Sequence, residues 1–392
     1  MKARKILSLM LVLCMVLSLT CACAKSETTN TNGTNSNTGD NADNGDVDTA
    51  KTHIVTDHLG EEVEVPYEIN RIVVCGLWPM PSVITVFFDS ADKIVGIPES
   101  SMTAAANGLL GELYPEILNA STEYAKGNDI NMEELLKLNP DLVIYNTTTP
   151  ELHEAFKNAG IPAVAFSVNK WNYDAIETLK QWIALLSELF PENDKVDVVN
   201  NKSEEIKKLV ADRVADIPED ERRQAFFLFN YNDNAVITSG CSFFGQFWAD
   251  AIGAKNVAEE ITTDNSVPVN MEQIYAWDPN LIFITNFNTA TPEDLYDNKL
   301  GVFDFTSTKA VKNKQVFKMP LGMYRSFTPG VDTPLTLLYL AKCAYPEKFA
   351  DIDMIEETIK YYKEVFGVEL TKEQAESIFD PSSDAAAVYL NK

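Results

Sequence analysis

The stretch NMEELLKLNPDLVIY occupies residues 131–145, and a variant of it, NMEQIYAWDPNLIFI, occupies residues 270–284. In each copy Asn can cap the first turn of a helix, and Glu134 or Gln273 follows three residues later, as in a capping box. The proline stops the helix, and the apolar run after it is typical of a strand covered on both faces. Because this unit occurs twice, the sequence predicts two similar α/β lobes. The cleft between them is where function is expected.

Helices and short apolar strands alternate on either side of both copies. After a hairpin at 52–66, strands are predicted at 71–75, 93–97, 141–145 and 162–168, and then at 225–230, 236–238, 281–285 and 315–319. Such alternation is the pattern of a parallel sheet with helices on both faces. The fold class is therefore α/β, with an N-terminal lobe over residues 52–172 and a C-terminal lobe over residues 217–392.

Residues 173–216 are predicted to form a helical connection between the lobes. Residues 194–215 contain neither Gly nor Pro and are rich in charged residues, with an apolar stripe that includes Val199, Ile206 and Val210. A helix of this kind has one face to bury and no residue at which to bend. We expect it to act as a stiff strut that limits movement of one lobe against the other.

The first residues have the features of an export signal. Lys2, Arg4 and Lys5 precede an apolar run over residues 6–19, which is too short for an ordinary membrane span. The small residues that lead to Cys23 resemble the lipobox of bacterial lipoproteins, in which the signal peptide, here residues 1–22, is cut before a lipidated cysteine. Cys21 is the alternative lipidation site, and an ordinary secretory signal is the alternative interpretation. Residues 23–51 are rich in Asn, Thr, Gly and Asp and are predicted to be a disordered tether.

Composition excludes several classes of partner and site. The net charge of −26 argues against nucleic acid and anionic lipid as partners. Beyond the signal peptide and its cysteines, Cys75, Cys241 and Cys343 are widely spaced and odd in number, so they indicate neither a disulfide framework nor a zinc site. The chain contains only three histidines, none with a second one at ligand spacing, so no site for a bare metal ion is predicted.

The order of several motifs resembles the substrate-binding lipoproteins of bacterial ABC importers for ferric siderophores, haem and cobalamin. The matching pieces are DHLG at 57–60, VEVP at 63–66, RIV at 71–73, both copies of the repeat, GCSF at 240–243, GAKNVA at 253–258 and the segment 338–345. The resemblance implies two Rossmann-like lobes with parallel sheets, joined by a single long rigid helix, with little hinge motion on binding. It also implies a monomer without a cofactor, anchored by lipid at the outer face of the cytoplasmic membrane. Such a protein delivers a chelated-iron or corrinoid ligand to an ABC permease and its ATPase.

Candidate ligand-binding residues are those that come directly after the predicted strands, because ligands of open parallel sheets lie beyond the carboxyl ends of the strands. The set is aromatic and rich in amides, with one strong cation: Trp78, Pro79, Asn146, Thr147, Thr148, Asn169, Trp171, Tyr231, Asn232, Ser242, Phe243, Asn286, Phe287, Asn288, Met323, Tyr324 and Arg325. Aromatic rings suit a bulky, partly flat ligand, and an arginine suits an acidic group on it. Tyr231 or Tyr324 could also serve as a ligand to a haem iron.

Glu133 and Glu272 occupy the same place in the two copies. A Glu in the first helical turn stabilises the helix through its dipole, by about 0.3–1 kcal/mol, and this alone could explain both residues. In the family that the chain resembles, one acidic residue on each lobe forms a salt bridge with arginines of the permease. We therefore expect Glu133 and Glu272 to dock the protein on its permease.

Two other functions remain open from the sequence. A ligand-binding surface sensor or adhesin could use the same fold without transport. A chelatase-like enzyme is disfavoured, because Gly240-Cys241-Ser242 has no histidine nearby to act as a base and no Gly-rich phosphate loop follows a strand. No catalytic residue is therefore predicted.

Overall fold

Two parallel four-stranded sheets, one in each half of the chain, organise the fold. The computed structural model describes residues 51–389. The predicted signal peptide, Cys23 and almost all of the predicted tether lie outside the described residues, as do residues 390–392. None of the helices between residues 51 and 389 combines the length and hydropathy needed to cross a membrane.

The N-terminal lobe has one parallel sheet, a hairpin at its start and a small hairpin within it. Its elements are β1 (Thr52–Thr56), β2 (Glu62–Pro66), β3 (Ile72–Cys75), α1 (Met80–Phe88), β4 (Ile94–Gly96), α2 (Glu99–Ala106), α3 (Leu109–Leu113), β5 (Ala125–Lys126), β6 (Asp129–Ile130), α4 (Met132–Lys137), β7 (Leu142–Asn146), α5 (Glu151–Ala159) and β8 (Ala163–Phe166), with a 3-10 helix at Pro115–Asn119. The sheet order is β4-β3-β7-β8, and all of its pairs are parallel.

Two helices connect this lobe to a second parallel sheet. The elements are α6 (Ala175–Leu189), α7 (Val196–Val214), β9 (Gln224–Leu228), β10 (Asn230–Tyr231), β11 (Val236–Ser239), α8 (Phe244–Ala251), β12 (Lys255–Asn256), β13 (Ser266–Val269), α9 (Met271–Trp277), β14 (Leu281–Ile284), α10 (Pro292–Tyr296), α11 (Lys309–Lys312), β15 (Val316–Lys318), α12 (Thr333–Ala344), α13 (Met354–Phe366) and α14 (Lys372–Phe379), with 3-10 helices at Glu219–Glu221 and Ser383–Tyr389. The parallel sheet has the order β12-β9-β14-β15, and β11 lies instead in an antiparallel sheet with β10 and β13.

The two repeat copies form equivalent parts of the two lobes, as the sequence predicts. Helix α4 leads into β7, which lies between β3 and β8, and α9 leads into β14, which lies between β9 and β15. In both copies the residue before the proline, Asn139 or Asp278, has a positive φ, of 44° or 43°. The left-handed residue ends the helix and turns the chain toward the strand.

The first turns of the repeat helices differ in one respect from the expected capping box. Asn270 and Gln273 form the complete box on α9. On α4 the Asn131 side chain accepts hydrogen bonds from the backbone of the first turn, but Glu134 does not return one to Asn131. Its carboxylate instead lies 2.7 Å from the Lys137 ammonium, one turn further along the helix.

Helix α7 is the long helix expected between the lobes. It packs against α6 on one side and against α12 and α13 on the other. A single cluster of buried apolar residues continues from β3 of the first sheet through these helices to β9 and β14 of the second. Because a hinge motion would have to separate this packed layer, the lobes are expected to move little.

A helical layer that the sequence pattern did not predict joins the lobes on another side. It consists of α2 and α3, which follow β4 in the N-terminal lobe. The last 3-10 helix of the chain packs against α2, and α14 packs against α3. Gln374 of α14 donates a hydrogen bond of 2.8 Å to Glu112 of α3. The C-terminal segment therefore binds to the N-terminal lobe as well as to its own.

Candidate ligand-binding cleft

A cavity of about 320 Å³ lies where the carboxyl ends of the two parallel sheets face each other. Its lining includes residues that lie at or shortly after the ends of β3, β7 and β8 in one lobe and of β9 and β14 in the other. This is the position that strand direction predicts for a ligand of an open parallel sheet. The lining residues are Gly76, Leu77, Trp78, Pro79, Asn128, Asn146, Thr148, Val168, Tyr173, Phe229, Phe243, Phe244, Asn265, Ser266, Phe287 and Thr328.

Aromatic rings from the C-terminal lobe form a continuous wall of the cleft. The ring centroid of Phe229 lies 5.0 Å from that of Phe287 and 5.5 Å from that of Phe243. Trp78 of the N-terminal lobe faces this wall, with its ring 6.5 Å from that of Phe287. Rings in such offset and edge-on contacts hold one another in place, so the wall is preorganised for a flat or bulky apolar surface.

The polar groups of the cleft are amides and hydroxyls, and none of the lining residues is charged. Asn146 is fixed by a hydrogen bond from its amide to the Gly76 carbonyl and by one from the Thr148 backbone to its side-chain oxygen. Gly76 has a φ of +65°, which a side chain would strain, and so it turns the chain sharply at the end of β3. Such a lining can orient the polar edge of a ligand without neutralising a full charge.

Tyr173 bridges the lobes at the mouth of the cleft. Its hydroxyl donates a 2.9 Å hydrogen bond to Asp264 of the C-terminal lobe, and its ring contacts Phe243 and Phe244. Burial, with help from the Asp264 carboxylate, raises the pKa of Tyr173 to about 12. The hydroxyl therefore stays protonated near neutral pH and remains a donor to Asp264.

Arg325 lies behind the aromatic wall rather than in the cavity. Its guanidinium stacks over the rings of Phe287 and Tyr324, at 5.2 Å from each centroid, and the residue is 1% exposed. It donates hydrogen bonds to the Ser100 hydroxyl at 2.6 Å, to the Tyr324 hydroxyl at 2.9 Å and to the carbonyl of Ala385 at 2.6 Å. Helix α2, the C-terminal 3-10 helix and the Phe287 ring thus enclose this cation.

The loop that carries Tyr324 and Arg325 is held by a buried carboxylate. Asp332 accepts a 2.9 Å hydrogen bond from the backbone of Met323 and another from the hydroxyl of Tyr362. Burial raises the pKa of Asp332 to about 6, although both hydrogen bonds favour its charged form. The loop conformation consequently depends on a carboxyl group that titrates above its ordinary range.

We expect this group to make stability depend on pH. The pKa of Asp332 is about 6 in the folded state and 3.8 ordinarily, so the folded protein holds this proton more tightly than the unfolded chain. The contribution of this proton to the free energy of unfolding is at its maximum below about pH 4. It is lost as pH rises through about 6, and the loss amounts to roughly 3 kcal/mol. The measurement is the free energy of unfolding between pH 4 and 7 for the protein and for Asp332→Asn. The asparagine variant should lack this part of the slope, and identical slopes would contradict the assignment.

Some of the ligand-binding residues predicted from the sequence lie in the lining of the cleft, and others lie elsewhere. Trp78, Pro79, Asn146, Thr148, Phe243 and Phe287 line the cleft. Trp171 lies outside it, edge-on to the ring of His58 at 4.9 Å. Tyr231 lines a different cavity with residues 299–303. The roles of all these residues in ligand binding stay predictions.

Four further candidates also lie outside the lining of the cavity. The backbone of Thr147 donates to Phe166 in the next strand. Ser242 lies beside Cys241, 3.8 Å from its sulfur. The Asn286 amide donates to the carbonyls that follow β15, at 2.7 and 3.0 Å. Tyr324 is buried beside Arg325.

Several lining residues were not predicted from the sequence. Phe229 comes directly after β9, so a strand boundary placed two residues earlier would have identified it. Tyr173 falls in the predicted connection of residues 173–216, and Phe244 is the first residue of α8. Asn128 lies in the turn between β5 and β6, and Asn265 precedes β13, and neither strand pair has an apolar pattern that predicts it.

Glu133 and Glu272 both lie on the surface, in the first turns of α4 and α9. The Glu133 side chain is 83% exposed and lies 3.7 Å from Lys137. These helices precede the central strands β7 and β14, so their first turns lie at the edge of each sheet where the cleft opens. The two carboxylates are therefore available to a partner that covers the cleft.

Metal binding by protein side chains alone has no support in the described part of the chain. Between residues 51 and 389, no group of three or more His, Cys, Asp or Glu side chains lies close enough together to hold a metal ion. The three cysteines of this part are free.

Comparison with known proteins gives consistent results for sequence and fold. The sequence model of the family described as periplasmic binding protein matches residues 84–321. The molybdate-binding protein MolA of Haemophilus influenzae is 27% identical over 332 residues, which cover 80% of this chain and 90% of MolA. An Fe(3+)-citrate-binding protein of Bacillus subtilis is 24% identical over 53% of this chain and 62% of its own length. A periplasmic solute-binding protein from Veillonella parvula has a similar structure, with a TM-score of 0.73, 28% identity and coverage of 85% of this chain and 98% of that one.

These relatives bind solutes and are not enzymes, and the Veillonella parvula structure shares the α/β fold of this chain. The family model spans the strands and loops that form most of the cleft, from α1 to the end of β15. The resemblance inferred from the motifs is thereby confirmed at the level of the family. The chain belongs to the periplasmic binding protein family and is an extracytoplasmic solute-binding protein of the kind that serves ABC transporters.

Proposed function

We propose that this protein captures a chelated-metal solute, an iron chelate such as a ferric siderophore or haem, or a corrinoid, and delivers it to an ABC permease. The uncharged, aromatic cleft between the lobes is the observation that carries this proposal. A bare cation would need several anionic or imidazole ligands, and the cleft offers none. A metal ion that is already coordinated by an organic chelator needs only aromatic contacts and a few hydrogen bonds from the protein. The lining of this cleft supplies both.

Cavity size favours the smaller members of this class. Pockets that enclose a drug-sized ligand range from about 300 to 1,000 Å³, and this one, at about 320 Å³, is at the lower end. A compact ferric chelate could be enclosed without movement of the lobes, whereas a macrocycle would extend out of the cleft into solvent. The Fe(3+)-citrate-binding protein among the relatives is in line with a small chelate.

A small oxyanion is the second candidate solute. The observation in its favour is Arg325, whose charge is buried with hydroxyl and carbonyl partners only and whose Nε has no hydrogen-bond partner. A buried guanidinium ordinarily pairs with an anion. The relative MolA binds molybdate. In this protein, however, Phe287 separates Arg325 from the cavity, so an oxyanion in the cleft would not touch it without rearrangement.

Delivery to the permease would use the two exposed glutamates. Glu133 and Glu272 present one negative charge on each lobe, and two separated charges fix the orientation of a complex as well as speeding its formation. The lipid on Cys23, together with the tether of residues 23–51, would keep the folded part near the permease at the outer face of the cytoplasmic membrane.

The proposal is tested by measuring quenching of tryptophan fluorescence with a panel of solutes. The panel contains ferric citrate, ferric siderophores, haem, cobalamin, molybdate and bare iron, zinc and manganese ions. We expect saturable quenching by at least one chelate and none by the bare ions. Binding of molybdate alone would support the oxyanion candidate, whereas a response to bare metal alone, or to nothing, would contradict capture of a chelate.

Substitution of one tryptophan should then distinguish the cleft from other surfaces. Trp78→Ala removes the N-terminal ring that faces Phe287, and we expect affinity for the chelate to fall roughly 10- to 100-fold, or about 1.4–2.7 kcal/mol. Trp171→Ala is the matched control, because this tryptophan packs on His58 outside the cleft. Calorimetric titration measures both. Equal effects of the two substitutions would refute the assignment of the cleft.

A further inference from the structure

The repeat helices α4 and α9 have the same pattern of exposure, position by position. Leu135 and Ile274 take equivalent places and are fully buried under the two lobes. The next residue in each copy, Leu136 or Tyr275, is a large apolar side chain that faces solvent, 48% and 42% exposed. Both lobes thus present a hydrophobic residue at the same point of the duplicated unit.

The exposure of Leu136 and Tyr275 at the same repeat position is not explained by the usual presence of isolated apolar residues on protein surfaces. Single exposed hydrophobic residues are common and need no explanation. Among residues 51–386, whose exposure the structure describes, only eight large hydrophobic side chains are exposed, and two of them take this one repeat position. Leu135 and Ile274 already attach each helix to its lobe through buried apolar contacts, so packing does not require the next residue to be apolar.

Helix geometry places each of these residues beside a glutamate. Leu136 follows Glu133 by three residues, and Tyr275 follows Glu272 by three, and residues at this spacing lie on the same side of a helix. The Tyr275 hydroxyl donates a 2.6 Å hydrogen bond to the carbonyl of Asp304, which holds the ring at the surface. Each lobe therefore carries a carboxylate and an apolar side chain side by side.

We propose that Leu136 and Tyr275 dock on the membrane permease together with the neighbouring glutamates. In each of the two equivalent contacts the apolar side chain enters a hydrophobic recess, and the glutamate pairs with a cation beside that recess. This inference rests on the proposed docking role of Glu133 and Glu272. Each of the two similar lobes offers the same pair, a carboxylate and an apolar side chain. This arrangement fits a partner whose two halves are related by a two-fold axis. In such a complex the carboxylates steer and orient the approach, while burial of the leucine and the tyrosine ring slows dissociation.

The test uses the full-length lipid-anchored protein and its permease–ATPase complex in lipid nanodiscs. Affinity is measured by surface plasmon resonance at low and high salt. Leu136→Ser with Tyr275→Ser should weaken binding at least tenfold at both salt concentrations, because burial of apolar surface is not screened. Tyr275→Phe keeps the ring and should bind almost normally. Leu118→Ser with Val198→Ser removes two exposed apolar residues outside the repeats and should change nothing.

The outcomes separate this inference from the docking role of the glutamates. If the double serine variant binds normally while Glu133→Lys with Glu272→Lys does not, the apolar contacts are refuted and docking through charge stands. If the lysine variant binds normally while the serine variant is impaired, the apolar contacts stand and the glutamate role is refuted. Normal binding by both variants would overturn both proposals. Solute affinity, measured alongside, should be unchanged in every variant.

Discussion

Replacement of Glu133 and Glu272 together by lysine is expected to abolish uptake of the solute while its affinity for the isolated protein stays unchanged. Both side chains are exposed, so the substitutions leave the core intact. In the proposed complex they would, however, convert one attractive contact on each lobe into a repulsive one. Juxtaposed like charges cost several kcal/mol, so two of them should prevent productive docking at physiological salt.

A matched control is available in the same chain. Glu356 and Glu373 are also exposed glutamates in the first turns of helices, α13 and α14, but they lie outside the repeats. Their replacement by lysine makes the same change in net charge and the same change at a helix end. Uptake of radiolabelled solute into cells or vesicles measures both pairs. Normal uptake by the Glu133/Glu272 variant, or an equal loss in the control, would contradict docking through these residues.

Gly322→Ala is expected to cost about 3–5 kcal/mol of stability, a large effect for the addition of one methyl group. A Cβ atom at this position would lie 2.3 Å from a carboxylate oxygen of Asp332. That carboxylate cannot move freely, because it accepts hydrogen bonds from Met323 and Tyr362. The substitution must therefore shift the loop or leave buried donors without a partner.

Gly330→Ala provides the control for this prediction. Gly330 lies in the same segment between β15 and α12, but its Cβ atom would meet nothing within 4 Å. Denaturant unfolding should show little change for Gly330→Ala and a clear loss for Gly322→Ala. Because the loop also carries Arg325, the Gly322 variant should release the contact with Ser100 between the lobes. Equal stability of the two variants would show that the loop relaxes without cost.

The parts of the fold that the sequence predicted are those with strong local signals. Each repeat has an Asn cap, a proline and an apolar strand, and all three act within about 15 residues of chain, so both copies could be located. The 19-residue α7 was predictable for the same reason, because it contains neither Gly nor Pro and places Val199, Ile206 and Val210 on one face. Helices α2 and α3 were missed because Ala, Ser and Gly give them little amphipathic contrast, and their packing depends on the distant C-terminal segment.

The candidate site was predicted in outline only. Strand direction places the residues after β3, β7, β9 and β14 in the cleft, and Trp78, Asn146 and Phe287 lie there. Arg325 also follows a strand, β15, but its position depends on Ser100 and Ala385, which are far away in the sequence. The sequence therefore identified the cation but could not predict that two other segments enclose it.

The central claim is that a solute binds between the lobes, and the location of a bound solute tests it most directly. The measurement is a crystal structure of the protein with the chelate that gives saturable fluorescence quenching. We predict electron density for that chelate in the cleft that Trp78 and Phe287 line, with the lobes close to their present separation. Density only in the cavity beside Tyr231 and Val302, with the cleft empty, would contradict it.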